Sequence, residues 1–371
     1  MEKLILIDGN SLMNRAFYAT PVFTTKNGLP TNAVFGFIKL MLKIISDKNP
    51  SYFAVAFDLR APTFRHKIYD EYKAGRKPMP EELARQVPVL KEVLKIMQIK
   101  VLELEGYEAD DLLGTVAKKF DVQTFIYTGD RDSYQLVDKT TTVCFTKRGV
   151  SDLLELNDKN FKDETSLIPS QIIDLKALMG DKSDNIPGVA GIGEKSAYAL
   201  LESYFDIDGV YAHIDEIQGA LRTKLEKGKD SAYFSKRLAT IDINVPIDLT
   251  LGECLLHFPF SFALYQKFAE LEFKSLLGLK IFSEDTIVAK EATESKEKEW
   301  IEPNEVYPAS LEEVFTLLDS NKGGTIACDI SENEVRLAFS SRPWLIISFI
   351  FSINERFSIS GLNSLAFLYP L

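Results

Sequence analysis

Three short apolar runs, LILID at residues 4–8, YFAVAFD at 52–58 and TFIYTGD at 124–130, decide the fold. Each is rich in β-branched or aromatic residues, stops at an aspartate and precedes a helical pattern, which is how buried parallel strands read. Between them, residues 32–46 (NAVFGFIKLMLKIIS) and 81–97 (EELARQVPVLKEVLKIM) place apolar side chains three or four apart, as amphipathic helices do. The alternation predicts an α/β core, a mostly parallel central sheet with helices on both faces. Asp8, Asp58 and Asp130 then emerge together at the carboxyl edge of that sheet, where open α/β folds place their sites.

More acids gather around these three: Glu108, Asp110 and Asp111 in GYEADD, Asp132 in TGDRDS, and Asp181 with Asp184 in GDKSDN. Acids also suit helix starts, where free backbone N–H groups and the positive dipole end favour them, and alone that explanation of EADD would win. Glu108 and Asp111, however, share one helix face, where like charges about 4 Å apart repel by about 4 kcal/mol at an effective dielectric near 20. A divalent cation relieves this. Oxygen ligands with no nearby His or Cys select hard ions, magnesium with manganese as substitute, and so many carboxylates can hold two. Two such ions serve phosphodiester hydrolysis without a covalent nucleophile.

Two further stretches bear on substrate. IPGVAGIGEKSAYALL, residues 186–201, makes a glycine-rich turn in which Gly188, Gly191 and Gly193 precede a helix opening at Glu194, Lys195 and Ser196; such a turn can bind phosphate, or can be structural only. TFRHKIYDEYKAGRKPMPEEL, residues 63–83, alternates Arg65, Lys73 and Arg76 with Tyr69 and Tyr72, offering phosphate attraction and base stacking. The alternative there is a solvated charged helix, which proximity to Asp58 disfavours.

The 371 residues are 46% hydrophobic, ample for more than one domain. Three scattered cysteines support neither a disulfide framework nor a zinc site, the N-terminus reads as a strand and not a signal, and nothing resembles a membrane span; a cytoplasmic monomer is expected. The net charge of −11 alone argues against a nucleic-acid partner, but it averages over blocks such as Arg60–Lys77, with six Lys or Arg against two acids.

Taken in order, LIDGNSLMNRAF (6–17), AVAFD (54–58), FRHKIYDEYKAGR (64–76), GYEADD, TGDRDSYQL (128–136), GDKSDNIPGVAGIGEKSA (180–197) and LEFKSLL (271–277) resemble the flap endonuclease family of 5′ nucleases, in the form found at the N-terminus of bacterial DNA polymerases. The resemblance implies a PIN-like 5′ nuclease core over 1–165 with a helical arch at about 60–85, then a helical subdomain over 166–282 with a helix-hairpin-helix at 186–201. It makes Asp8, Asp58, Glu108, Asp110, Asp111, Asp130, Asp132, Asp181 and Asp184 the ligands of two Mg2+ ions. Tyr72, Lys73 and Arg76 become catalytic arch residues, and Arg65, Tyr69, Gly188, Gly191, Gly193, Lys195 and Ser196 DNA contacts, with K+ at the hairpin. The implied partners are branched, nicked or 5′-flapped DNA, RNA-primed DNA and a separate DNA polymerase. A scaffold that binds branched DNA without cutting it is the competing reading, against which the complete acid set weighs.

Past residue 282 the expectations change. Residues 283–305 are charged and aperiodic, as a linker is. Residues 306–371 hold a helix-like SLEEVFTLL (310–318) and strand-like GGTIACDI (323–330) and NEVRLAFSS (333–341), a short α/β remnant resembling a truncated proofreading-like domain. Ser331 stands two residues after Asp329, where an active 3′-5′ exonuclease would carry a second acid, so that activity is not expected, nor is a polymerase. Beyond Ser341 the family pattern stops, and a truncated or altered reading frame is expected.

Overall fold

The computed structural model describes residues 2–148, 152–283, 304–306, 326–331, 334–339 and 342–350. Two compact units result, Met1–Ile287 and Val288–Leu371.

The first unit is built on six strands: β1 (Lys3–Asp8), β2 (Tyr52–Ala56), β3 (Lys100–Leu102), β4 (Gln123–Thr128), β5 (Thr141–Arg148) and β6 (Asp152–Leu156). Their order across the sheet is β3-β2-β1-β4-β5-β6, with all neighbours parallel except β5 and β6. The three runs that end in aspartate are the three central strands. β1 reaches its aspartate directly, whereas Asp58 and Asp130 follow their strands by two residues. Chain direction across the sheet reverses at β1, so the carboxyl ends there form the crevice where such sheets bind ligands.

Helices cover both faces. On one side α1 (Gly9–Ala19), α2 (Asn32–Lys48) and, after the short α3 (Phe64–Ile68), α4 (Glu81–Ile96) pack on Ile5, Ile7, Phe53 and Val55. On the other α5 (Ala109–Lys119) packs on Leu4, Leu6, Ala54 and Ala56, the alternate residues of the same strands. That split follows from the two-residue period of a strand. Strand signals end after β6. The helices α6 (Phe161–Thr165), α7 (Gln171–Met179), α8 (Glu194–Tyr204), α9 (Ile207–Ala212), α10 (Gly219–Ala239), α11 (Phe262–Glu270) and α12 (Lys274–Leu277) follow. Helices α7 and α8 with the turn between them form the hairpin.

The block at 60–85 is not one continuous helix. It holds only α3, a turn through Asp70–Gly75 and an irregular run to α4. Lys73 has φ +58, which interrupts a right-handed helix, and Pro78 and Pro80 each lack an N–H to donate to one.

In the second unit β7 (Asn304–Val306), β8 (Ile326–Ser331), β9 (Glu334–Phe339) and β10 (Arg342–Ile350) form a sheet of order β7-β10-β9-β8. The strand-like runs are β8 and β9, β7 opens inside the stretch read as linker, and SLEEVFTLL lies outside the described residues. Among the described residues no helix is long and apolar enough to cross a membrane.

Candidate active site

The strand-end aspartates do local work first. Asp8 caps α1, its Oδ1 accepting from the Ser11 amide at 3.0 Å. Asp58 Oδ1 accepts from the Ala109 amide at the start of α5 at 2.8 Å, and Asp130 Oδ1 from the Asp132 amide at 3.0 Å. Each cap satisfies a backbone donor that a helix or turn start leaves over. The Thr128 hydroxyl donates to Asp8 Oδ2 at 2.9 Å, tying β1 to β4 at the site.

Around them the acids pair with internal cations. Lys73 Nζ contacts Glu108 Oε1 at 2.6 Å, and Arg76 bonds Asp184. The Tyr72 hydroxyl lies 3.1 Å from Glu108 and 3.2 Å from Asp184 and shares its one proton between them. Lys176, on α7, bridges Asp132 and Asp181, at 2.5 Å to the latter. The structure thus brings Lys73, Arg76 and Tyr72 to the acids, and pins the turn of the basic block on the 181–185 loop through Lys73 N to Asp184 O, 3.0 Å, and Asn185 Nδ2 to Glu71 O, 2.8 Å.

Three expectations change. Arg65, expected to contact DNA, is 2% exposed and spends its five N–H donors on Asp111, Glu108 and the carbonyls of Leu238 and Thr240. Asp111, expected to bind metal, is fully buried: its oxygens accept two Arg65 bonds at 2.7 and 2.8 Å and the amides of Glu108 and Asp242 at 3.0 and 2.8 Å. The repulsion foreseen between Glu108 and Asp111 is therefore relieved by Arg65. Tyr72, at 3% exposed, cannot stack on a base, while Tyr69 is half-buried, edge-on to Phe234.

At the hairpin, Gly188 is buried in the scaffold. Its carbonyl and amide are held by Ser231 and Ser235, its φ is +62, and a Cβ would stand 2.2 Å from the Gly180 amide nitrogen. Gly191, Gly193 and Lys195 are exposed and Ser196 half-buried, beside the first turn of α8. Lys176 was missed because a lysine in QIIDLKALM looks like an ordinary helix-face residue. Arg15, which holds the Gly129 carbonyl at 3.1 Å beside Asp130, was missed likewise.

The electrostatics are those of a site short of positive charge. Burial, then repulsion from Asp58, pushes the Asp8 carboxyl up to about 7. Burial and then Asp130 push Asp132 to about 7 despite Lys176. Burial and then Asp111 raise Asp110, whose buried Oδ1 has no hydrogen-bond partner. Asp181 is also desolvated, yet Lys176 holds it down at about 2. Among the described residues no three acid, His or Cys side chains are grouped on one point to hold an ion, since the carboxylates turn toward lysine and arginine instead. The donor set still fits a hard divalent cation: it is all oxygen, it includes an orphaned buried acceptor, and burial makes Asp8, Asp58, Asp110 and Asp132 costly to ionise.

The folded-state values of Asp8 and Asp132 exceed the ordinary carboxylate value, so between about pH 4 and about pH 7 the folded protein binds protons that the unfolded chain has lost. Ion-free protein is expected to lose stability as pH rises through that window. The opposite effect of Asp181 is confined to pH below about 4. Melting in chelator at about pH 5 and about pH 8 checks this: a higher melting temperature at the alkaline end contradicts it.

Comparison with known proteins gives the family and the fold. Residues 3–166 match the family model of the 5′-3′ exonuclease N-terminal resolvase-like domain, and residues 167–259 that of the 5′-3′ exonuclease C-terminal SAM fold. Over 282 residues the chain is 44% identical to DNA polymerase I of Caldicellulosiruptor bescii, covering 74% of this chain and 33% of the relative. It is 45% identical to DNA polymerase I of Bacillus subtilis over 255 residues, 68% and 29% of the two. The chain thus spans about a third of the length of these relatives. Among solved structures, bacteriophage T5 5′-exonuclease with bound divalent zinc aligns with TM-score 0.54 at 21% identity, over 65% of this chain and 90% of that one. A bacteriophage T5 flap endonuclease complex with DNA and metal ions aligns with TM-score 0.52 at 21% identity, over 65% and 89%. These likenesses concern the fold, and the two matched domains, running without a break from residue 3 to residue 259, make the chain a member of the 5′-3′ exonuclease family.

Proposed function

We propose that this chain hydrolyses DNA phosphodiesters near 5′ ends and branches, acting as a 5′-3′ exonuclease and flap endonuclease on nicked, flapped or RNA-primed DNA. The observation that carries the reading is the buried, unpartnered Asp110 Oδ1 amid acids at the switch point of the sheet, with the Lys73 and Arg76 block folded over them. Asp8, Asp58, Glu108, Asp110, Asp130, Asp132, Asp181 and Asp184 would hold two Mg2+ ions, with Mn2+ able to substitute. When bound, such ions neutralise the developing charge of the phosphodiester and lower the pKa of attacking water.

The chain supplies the rest. Lys73 and Arg76, which here neutralise Glu108 and Asp184, are the cations best placed to receive a phosphate. The Tyr72 hydroxyl keeps those two carboxylates oriented. The exposed Gly191, Gly193 and Lys195 and the half-buried Ser196 hold duplex phosphates at the start of α8, where free amides and the helix dipole favour an anion, with K+ as an accessory. Recognition through backbone contacts selects structure over base sequence.

Incubation with a labelled 5′-flap duplex and magnesium tests the reading. Binding with no product, manganese also tried, would leave only a noncatalytic binder of branched DNA. Lys73→Ala is expected to lower the cleavage rate mainly, by roughly a hundredfold. Lys195→Ala is expected mainly to weaken duplex affinity and to flatten its dependence on salt by about one phosphate contact. Equal effects of both changes on rate and affinity would undo the division.

A further inference from the structure

Helix α10 touches both ends of this machinery. Toward its start Lys224 Nζ donates to the Gly191 carbonyl at 2.9 Å. Farther along, Ser231 donates to the Gly188 carbonyl at 2.6 Å and Ser235 accepts from the Gly188 amide at 2.9 Å. Gly228, between them, lies against Val189, where a Cβ would stand 2.6 Å from the valine Cγ1. Positions 224, 228, 231 and 235 recur at helical spacing, so one stripe of α10 grips the glycine turn.

The other end is held as firmly to the acids. The Leu238 carbonyl accepts from Arg65 Nε at 2.9 Å and the Thr240 carbonyl from Arg65 Nη2 at 2.8 Å. The Ala239 carbonyl accepts from Gln135 Nε2 at 3.0 Å, and the Asp242 amide donates to Asp111 Oδ1 at 2.8 Å. The last carbonyls of a helix lack intrahelical partners, and here Arg65 and Gln135 supply them. The same guanidinium makes the paired bonds to Asp111, whose carboxylate in turn accepts the Glu108 amide.

We propose that Arg65 is a positioning residue: by locking the acid cluster to α10, and so to the glycine turn, it fixes where along the strand the cut falls. The inference rests on the nuclease reading above. From Lys224 to Leu238 the helix runs about 21 Å at about 1.5 Å per residue, roughly six steps of a duplex at about 3.4 Å each. A helix of that length is a stiff spacer, and its error at the acids is set by the join at its end. Arg65 makes that join with a planar fork, which fixes orientation where an ammonium would fix only distance.

The test uses the full chain with magnesium and a labelled 5′-flap duplex, reading product lengths on a denaturing gel beside melting curves. The variants are R65K, which keeps the charge and loses the fork, and R65M/D111L, which removes both buried charges so that neither is stranded. Both are expected to shift product from the parental position to its neighbours and to slow turnover roughly tenfold to hundredfold, R65K less than the double variant. Folded variants that cut only at the parental position, merely more slowly, overturn the proposal. A parent chain that cuts no flap at all sinks the nuclease reading, and the proposal with it, so the two failures are distinguishable.

Discussion

Asp110→Asn is expected to lower flap cleavage by about a thousandfold, on the order of 4 kcal/mol of transition-state stabilisation, while leaving the fold as stable as before or more so. The two effects separate because of what Asp110 touches. Its buried Oδ1 has no hydrogen-bond partner, and burial, then repulsion from Asp111 and Glu108, makes its charge costly to keep. Removing that charge relieves repulsion in the ion-free protein and forfeits a proposed ligand of the hard cation. A residue serving only packing would move both measurements downward. The check is single-turnover cleavage in saturating magnesium beside melting in chelator, and a variant that cuts as fast as the parent removes Asp110 from the site.

Arg65→Met is expected to cost about 3–5 kcal/mol of stability, the largest loss foreseen for a single side chain here. The change strands Asp111, fully buried, and leaves Glu108 with one cation fewer. It also leaves the carbonyls of Leu238 and Thr240 without their donor. Because the cost lies in the abandoned charge more than in the lost attraction, R65M/D111L is expected to recover most of it. Denaturant unfolding of the parent, both single variants and the double variant measures the coupling. Additive losses would mean that the two groups do not act as a pair.

These outcomes show which features could be read before the fold was known. The sheet was legible because LILID, YFAVAFD and TFIYTGD carry their own punctuation, an apolar run closed by an acid, and the site followed from three such ends meeting at β1. β3, β5 and β6 escaped because their runs are short or polar on one side. The role of Arg65 was hidden for a different reason: within FRHKIYDEYKAGR it is one cation among several, and only contacts with residues 111, 238 and 240 reveal that it is buried. Lys176 likewise gains its meaning from Asp132, 44 residues away in the chain. In the basic block, Pro78, Pro80 and the positive φ of Lys73 outweighed the helical pattern on either side. Local patterns located the acids, and long-range pairing decided which of them are already satisfied.

The caps made by Asp8, Asp58 and Asp130 bear on the safety of such an enzyme in a cell. The caps of Asp8 and Asp130 close local turns and that of Asp58 reaches the start of α5, yet the three residues lie on separate stretches of chain and meet only when β1, β2 and β4 have paired. A nascent, nicked or heat-damaged chain carries every acid without the crevice, so the proposed cutting of DNA is expected to arise with the finished sheet and to end when the sheet comes apart.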